Sequence, residues 1–246
     1  MPTGERRVVL LTGAGGVLGD AFCRRYARTH DIVAVCRTRV PAVASQHESF
    51  VDPLAPDADL ADNEARVFTV MADLEQPGQV DRVVELALAR HDRIDVLVNG
   101  AGHQRHHPRG LVDADGAVQD LSRHLAVNVA VPLQLAVRVA QLFWRDRAAE
   151  NRAENRSVVN ISSLSGSRVY PRLGQGVYAA SKAALNQLTR HLADEFDAFG
   201  VRVNALAPTS FPGLIPTEDV ADAIARLDRE TITGRVIAME DDRPSR

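Results

Sequence analysis

Short apolar runs alternate with helical stretches along the whole chain, and this alternation restricts the fold more than any other feature. The apolar runs cover residues 8–11, 32–35, 67–71, 94–98, 157–161, 201–206 and 235–239. The helical stretches between them cover residues 17–29, 77–91, 117–149, 177–199 and 218–227. Strands that alternate with helices pair in parallel, and helices then cover both faces of the sheet. We therefore predict an α/β fold that is doubly wound, with three layers and a parallel sheet of about seven strands.

The length of the chain fits a single domain. Its 246 residues can bury one full core, and its hydrophobic and charged fractions of 45% and 25% are those of an ordinary soluble protein. Residues 40–65 hold three prolines and six acidic residues with little apolar periodicity, which predicts a long loop. Residues 1–246 are therefore interpreted as one domain.

Composition disfavours several classes of function. The net charge of -3 argues against a nucleic-acid surface, no apolar run looks long enough to span a bilayer, and the N-terminal residues lack a signal-peptide pattern. Cys23 and Cys36 are too few for a disulfide framework or a zinc site. We expect a cytoplasmic protein that acts on a small molecule, without nucleic-acid or membrane partners.

A glycine-rich turn joins the first predicted strand to the first predicted helix. From Thr12 it reads Thr-Gly-Ala-Gly-Gly-Val-Leu-Gly, and Gly13, Gly16 and Gly19 fit the spacing of a dinucleotide-binding turn. Glycine lets the backbone approach a phosphate, and the N–H groups at the start of the helix point towards it. The alternative is a tight strand-to-helix turn without a ligand.

The residue after the second predicted strand bears on which nucleotide would bind. An acidic residue at this point hydrogen-bonds the ribose of NAD, whereas an arginine accommodates the additional phosphate of NADP. Arg37 stands there, in the sequence Cys-Arg-Thr-Arg. We therefore predict NADP(H) in preference to NAD(H); the alternative is a solvated arginine at a strand end.

Tyr178 and Lys182 lie four positions apart in a predicted helix, which puts both side chains on one face with Cβ atoms about 6 Å apart. A free tyrosine has a pKa of about 10, and a neighbouring ammonium group lowers that pKa by favouring the phenolate. Lys182 is the only lysine in the chain. Because lysine shares a proton more readily than arginine does, we interpret the pair as an acid/base.

Asn128 and Pro132 have an informative spacing within the long helical stretch. Proline has no N–H and clashes with the carbonyl group four residues before it. The backbone carbonyl of Asn128 therefore loses its usual helix partner and needs another one, such as water. A simple kink with a solvent-facing carbonyl is the alternative.

Two predicted loops at the carboxyl ends of strands are basic and contain no acidic residue. They hold His103, Arg105, Arg168 and Arg172 among other basic side chains. Since guanidinium groups bind carboxylates and phosphates, these four residues predict a polar or anionic substrate, or one tethered through a phosphate-bearing arm. The alternative is that the arginines are solvated or bind cofactor phosphates. No Cys or carboxylate flanks the histidines at ligand spacing, so no metal is predicted.

The order and spacing of these motifs resemble the short-chain dehydrogenase/reductase family over nearly the whole chain. The resemblance implies a Rossmann fold and a catalytic tetrad of Asn128, Ser163, Tyr178 and Lys182. It also implies cofactor binding by the glycine turn, the strand ends and part of the tetrad. These positions are Gly13, Gly15, Gly16, Val17, Leu18, Gly19, Arg37, Asp73, Leu74, Asn99, Ala101, Gly102, Tyr178, Lys182, Pro208 and Thr209.

The chain departs from the family pattern at four points. Val17 replaces the usual middle glycine of the turn, Gly100 replaces a second asparagine, and Thr209 replaces the glycine of a Pro-Gly pair. In addition, residues 208–217 form a much shorter segment than the substrate lid that family members usually carry there.

The resemblance implies hydride transfer between a nicotinamide and a carbonyl or alcohol. Ser163 would hydrogen-bond the carbonyl oxygen, Tyr178 would donate the proton, and Lys182 would lower the tyrosine pKa and hold the ribose hydroxyls. A water on the Asn128 carbonyl would resupply the proton. Two alternatives stay open: a redox-neutral epimerase, dehydratase or cyclase, and a non-catalytic NADP(H) sensor.

The resemblance also implies an assembly. Family members commonly pair through the two long helices, so a homodimer or homotetramer is expected. Five apolar residues of the long helical stretch are predicted to supply contact area: Leu135, Val139, Leu142, Phe143 and Trp144.

Overall fold

The structure, a computed structural model, describes residues 6–47, 65–112 and 116–240. Eight strands form one sheet in the order β3-β4-β2-β1-β5-β6-β7-β8, and every neighbouring pair is parallel. The strands are β1 (Arg7–Thr12), β2 (His30–Cys36), β3 (Gln46–His47), β4 (Val67–Met71), β5 (Val96–Asn99), β6 (Ser157–Ile161), β7 (Arg202–Pro208) and β8 (Val236–Met239). The predicted parallel α/β sheet is thus confirmed.

Helices cover both faces of the sheet, as its sequence requires. The central strands are almost continuously buried, which is typical of parallel sheets. One apolar core lies under α2, α4 and α6, and the other lies under α1 and α7. The helices are α1 (Val17–Tyr26), α2 (Gln79–His91), α3 (Ala117–Leu125), α4 (Val131–Val139), α5 (Ala148–Ala153), α6 (Gly176–Asp197) and α7 (Thr217–Arg229). The doubly wound, three-layer arrangement follows from these two cores.

The sheet has one strand more than predicted, β3, and it lies inside the stretch that the sequence predicts to be a long loop. β3 is two residues long and pairs with β4 through Gln46 and Phe68. Residues 48–64, which make up most of that predicted loop, lie outside the described residues. Alternation of apolar and polar residues cannot predict so short a strand, because two residues carry no periodicity.

The long helical stretch is one rod from residue 117 to residue 144, with two wider π-helical turns inside it. The π turns are Ala126–Ala130 and Ala140–Trp144. In the first, the N–H of Val131 donates to the carbonyl of Ala126, five residues back, directly before Pro132 removes a donor. The prediction of a single helix to residue 149 is wrong, since the chain turns after Trp144 and α5 is a separate helix.

The same helical rod contradicts two expectations, one about membrane-spanning segments and one about the residues of a subunit contact. By length and composition it could cross a bilayer, with a mean hydropathy of 1.5, contrary to the statement that no run is long enough. However, Leu135, Val139 and Trp144 are fully buried in the domain core, and the Trp144 indole donates to the Ile94 carbonyl at 2.9 Å. With Phe143 also buried, four of the five residues expected in a subunit contact serve the chain's own core instead.

Candidate active site

A cleft runs along the carboxyl edge of the sheet where β1 separates β2 from β5. The order of the strands reverses at this place, which is where open α/β sheets bind ligands. The cleft has two lobes of about 310 and 640 Å³. Both are lined by Gly13, Gly16, Gly100, Gly102 and His103, so they meet over the glycine turn.

The glycine turn is packed so closely that side chains would not fit. A Cβ at Gly13, whose φ is 71°, would lie 2.8 Å from the Ala101 nitrogen, and one at Gly19 would lie 2.4 Å from the Ala14 Cα. The hydroxyl oxygen of Thr12 accepts hydrogen bonds of 3.1 Å from the N–H groups of Gly100 and Ala101. The start of α1 is thereby held at the floor of the cleft, and its shape fits the phosphates of a dinucleotide.

The smaller lobe contains most residues predicted for the adenosine end of a cofactor. Gly15, Arg37, Asp73, Leu74 and Ala101 line it. Sequence reasoning missed four further lining residues with functional potential: Thr38, Arg39, Glu75 and Val127. No sequence motif marks these four residues, but the position of Arg39 two residues after Arg37 in the same loop could have suggested that both arginines line the lobe.

Asn99 is the exception among the predicted cofactor residues on this side. It is 2% exposed and its amide donates to the Asn160 side chain at 2.8 Å, which ties β5 to β6 beneath the cleft. Asn99 is not among the residues that line either lobe. The structure thus places Asn99 beneath the cleft, where its Nδ2 links β5 to β6, and its role as a cofactor contact stays a prediction.

The larger lobe brings the reactive side chains together. Ser163 follows β6, and Tyr178 and Lys182 project from α6. The predicted nucleotide-facing residues on the opposite sides of this lobe are Val17, Leu18, Gly19, Pro208 and Thr209. Three residues of the tetrad and both flanking turns therefore share one cavity.

Tyr178 is buried, and its environment holds it in the protonated form. Burial raises the pKa of Tyr178, while a hydrogen bond with the Ser163 side chain lowers it by a smaller amount. The Ser163 hydroxyl also accepts a hydrogen bond of 3.2 Å from the Ser165 backbone N–H. The expected lowering of the Tyr178 pKa by Lys182 is not found, because desolvation dominates at this position.

Lys182 is directed past the tyrosine ring towards the sheet. Its Nζ lies 5.8 Å from the centre of the Tyr178 ring and donates to the Ile161 carbonyl at 2.8 Å. Burial lowers the pKa of Lys182 to about 8. The ammonium is thus close to losing its proton under mildly alkaline conditions, and it is available for a second hydrogen bond on its remaining donors.

Asn128 acts through its side chain as a link between two elements. Its Oδ1 accepts from the His103 N–H at 2.8 Å, and its Nδ2 donates to the His103 carbonyl and to the Ser181 hydroxyl, each at 2.9 Å. The side chain is fully buried. Asn128 therefore fixes the loop after β5 against α6, two elements that bound the cleft.

His103, which lines the cleft, packs against the buried ring of His124. Their ring centres are 4.5 Å apart, and that of His124 is 6.4 Å from Tyr178. The Nδ1 of His124 contacts the Asp120 carbonyl at 2.7 Å and its Nε2 accepts from the Arg105 N–H at 3.2 Å, which fixes the orientation of the ring. Among the described residues no cluster of three metal-ligating side chains occurs.

Of the four predicted substrate residues only His103 lines the cleft. Arg105 forms an ion pair with Asp120 at 3.2 Å, and Arg168 is bound through both of its terminal nitrogens by Glu240 at 2.7 Å. Arg172 also lies outside the lining. The placement of the three arginines is corrected: carboxylates from distant segments neutralise two of them, which inspection of each loop alone could not reveal.

A different set of side chains forms the outer wall of the larger lobe. The segment between β7 and α7 contributes Phe211 and Leu214, and Leu214 is half exposed. The other residues that line this part of the lobe are Gln104, His106, Leu164, Ser165, Tyr170, Leu173 and Gln175. The wall is mixed in polarity, and the segment of residues 209–216 that joins β7 to α7 contributes to it.

Comparison with known proteins agrees with this geometry. The short chain dehydrogenase family matches residues 7–220. A short-chain type dehydrogenase/reductase from Sinorhizobium fredii, named as uncharacterized, is 31% identical over 94% of this chain, which spans 37% of that relative's length. A hexahydroindene-carboxyl-CoA reductase from Mycobacterium tuberculosis is 32% identical, over 83% of this chain and 71% of its own length.

A solved structure extends the likeness to three dimensions. The oxidoreductase of the short chain dehydrogenase/reductase family from Brucella ovis, in complex with a partially ordered NAD, has a TM-score of 0.69 and 29% identity. The match covers 96% of this chain and 100% of that one. The family match, the sheet order and the cleft agree, and this chain therefore belongs to the short-chain dehydrogenase/reductase family of NAD(P)-dependent oxidoreductases.

Proposed function

We propose that this chain transfers a hydride between NADP(H) and the carbonyl or secondary alcohol of a small molecule. The observation that carries the proposal is the meeting of Ser163, Tyr178 and Lys182 in the lobe that also touches the glycine turn. A nicotinamide bound there would supply or accept the hydride. The chain's own residues then have to handle one proton and the charge on the substrate oxygen.

In the reductive direction Ser163 donates a hydrogen bond to the substrate oxygen, where negative charge develops. Tyr178 donates the proton as general acid, and the raised pKa of its hydroxyl keeps the proton in place at neutral pH. Lys182 holds the ribose hydroxyls with the donors that Ile161 leaves available. The carbonyl of Asn128, deprived of its usual donor by Pro132, holds the water that resupplies the proton.

The preference for NADP(H) over NAD(H) is supported by charge at the end of β2. Arg37 stands where an NAD-binding protein would carry an acidic residue, and Arg37 and Arg39 both line the smaller lobe. Two guanidinium groups at this lobe suit a ribose phosphate, which arginine binds through paired hydrogen bonds.

The substrate proposed is a polar or anionic small molecule, or one attached to a carrier. The two basic loops support this substrate class less than the sequence predicts, since His103 is the one predicted substrate residue that lines the cleft. A tethered substrate agrees with the short segment between β7 and α7 and with the carboxyl-CoA substrate that the Mycobacterium relative's name gives.

The short segment also favours a second candidate, a redox-neutral epimerase, dehydratase or cyclase on the same scaffold. The extended-type spacing of the glycine turn and the short segment both allow a reaction without net oxidation. Net consumption of NADPH separates the two candidates, and it also excludes a non-catalytic sensor.

Assembly as a homodimer or homotetramer, in the cytoplasm, is part of the same proposal. α3 carries an exposed apolar stripe of Val118, Leu121 and Leu125, which are 76%, 37% and 38% exposed. The stripe lies on the helix packed against α6, so a partner could cover both helices. Sedimentation of the purified chain tests this part separately.

The first test is a fluorescence titration of the purified protein with NADPH and NADH, followed by an NADPH-oxidation assay over matched neutral and anionic carbonyl compounds. Tighter NADPH binding with turnover supports the proposal. Binding of NADH alone would overturn the cofactor preference, and binding of neither nucleotide would overturn the oxidoreductase. A preference for neutral, apolar carbonyl compounds would overturn the substrate class.

A further inference from the structure

The carboxylate of Glu75 is held by two arginines at the wall of the smaller lobe. Arg37 donates to it at 3.3 Å, and Arg123 donates two hydrogen bonds, from Nε at 3.2 Å and from Nη2 at 3.0 Å. Glu75 is 24% exposed, whereas the two arginine side chains are about half exposed. Glu75 therefore lies inward of its partners, at the cleft.

The position of Glu75 is fixed independently of Arg37. Its backbone N–H donates to the Asp73 side chain at 3.2 Å, which shapes the turn after β4. Arg123 belongs to α3 and binds both carboxylate oxygens. A paired arginine–carboxylate contact is more directional than a single ion pair, so loss of Arg37 would leave the carboxylate where it is.

This arrangement places a negative charge where a second anion would have to bind. Arg37 is the residue expected to bind the 2′-phosphate of NADP(H), and it already shares a hydrogen bond with Glu75. A phosphate entering the lobe must replace that hydrogen bond and also approach the Glu75 charge. NAD(H) has a ribose hydroxyl in place of the 2′-phosphate, so its binding neither breaks the hydrogen bond between Arg37 and Glu75 nor brings a second negative charge close to Glu75.

We propose that Glu75 is a cofactor-specificity residue, whose carboxylate competes with the 2′-phosphate for Arg37 and so weakens the preference for NADP(H). The proposal rests on the proposed preference for NADP(H) and adds that Glu75 limits the size of this preference. Glu75 tunes the balance between the two nucleotides, while Arg37 and Arg39 set its direction.

The test compares Glu75→Gln with the unchanged chain in direct titrations of NADPH and NADH. Glutamine keeps the shape and removes the charge, so NADPH affinity should increase by about three- to tenfold while NADH affinity changes less than about twofold. Glu85→Gln is the matched control, because Glu85 pairs with Arg138 on α4 and lies outside the cleft lining. An unchanged or lower ratio of NADPH to NADH affinity in Glu75→Gln would overturn the proposal.

A second pair of variants tests the competition for Arg37 directly. In an Arg37→Gln background the gain from Glu75→Gln should fall to less than half, since the carboxylate no longer withholds the arginine. An undiminished gain would overturn the competition. If the unchanged chain binds only NADH and Glu75→Gln acquires NADPH binding, the proposed cofactor preference fails while the role of Glu75 stands.

Discussion

The Nζ of Lys182 lies 5.8 Å from the centre of the Tyr178 ring, and both groups are buried. At this distance the ammonium neither hydrogen-bonds the ring face nor offsets the desolvation of the phenol, whose pKa is raised. Burial lowers the pKa of Lys182 to about 8, because desolvation favours the neutral amine over the ammonium. The pair therefore consists of a protonated tyrosine beside a lysine that titrates near pH 8.

The stability of the chain should depend on pH through Lys182. Its pKa is about 8 in the fold and 10.5 ordinarily, so below pH 8 the buried ammonium costs on the order of 3 kcal/mol. The native lysine loses its proton before the unfolded one does, so the cost disappears between pH 8 and pH 10.5. The free energy of unfolding of Lys182→Met minus that of the unchanged chain should therefore decrease over this range.

Urea unfolding of both proteins at pH 7, 8.5 and 10 without nucleotide measures this difference. The Met variant also loses the hydrogen bond from Lys182 to the Ile161 carbonyl, which lowers its free energy of unfolding by an amount that does not change with pH. The prediction therefore concerns how the difference in free energy of unfolding between the two proteins changes with pH. A difference that stays constant from pH 7 to pH 10 would contradict the lowered pKa of Lys182.

Tyr178→Phe should remove proton donation while leaving the nucleotide site intact. General acid catalysis contributes about 10²- to 10⁴-fold, so kcat should fall by at least that lower factor while the Kd for NADPH changes less than about twofold. Tyr26→Phe serves as the control, because the Tyr26 hydroxyl bonds to Asp222 on the other side of the molecule. Retained turnover in Tyr178→Phe would show that another group supplies the proton.

Gly19→Ala should weaken nucleotide binding by displacing the glycine turn. The new Cβ would lie 2.4 Å from the Ala14 Cα and 2.5 Å from the Gly13 carbonyl oxygen, and neither backbone atom can move without shifting the start of α1. We expect at least a tenfold weaker Kd for NADPH, on the order of 1.4 kcal/mol.

Gly78→Ala provides the contrast for that prediction. Gly78 has a φ of 77° with open space around its Cβ position, so the substitution should cost about 1 kcal/mol of stability through backbone strain alone. Nucleotide binding by Gly78→Ala should stay unchanged. Equal effects of the two variants on the Kd would argue against a phosphate site at the turn.

Pro132→Ala should slow turnover without destabilising the fold. The alanine N–H can donate to the Asn128 carbonyl four residues back and thereby displace the proposed water. We expect kcat to fall by about tenfold or more and the solvent isotope effect on kcat to rise, because proton resupply becomes limiting. Pro77→Ala, in the turn before α2, is the control; an unchanged kcat in Pro132→Ala would remove the carbonyl from the proton route.

Much of the site could be predicted because its residues are tied to the ends of strands. Gly13, Asp73, Ser163 and Pro208 each follow a buried apolar run, and the carboxyl ends of parallel strands meet at one edge. The helix carrying Tyr178 needed only its 3.6-residue period to put the tyrosine and the lysine on one face.

Strand ends and helical periodicity could not predict the contacts between segments that are distant in the sequence. Arg105 and Arg168 looked available because their own loops contain no acid, yet Asp120 and Glu240 neutralise them. Asn99 has the right sequence position for a cofactor contact, but it lies beneath the cleft lining with its Nδ2 donating to the Asn160 side chain. Sequence spacing does not specify which charges and amides meet across the fold.

The sequence by itself determined the parallel α/β fold and the edge of the sheet at which the site lies, because periodicity and strand ends are local properties. Only the tertiary structure decided how Tyr178 and Lys182 are protonated, since desolvation depends on everything packed around them. It also decided that Glu75 accepts a hydrogen bond from Arg37 at the wall of the smaller lobe, a contact between residues 38 positions apart that no local pattern encodes.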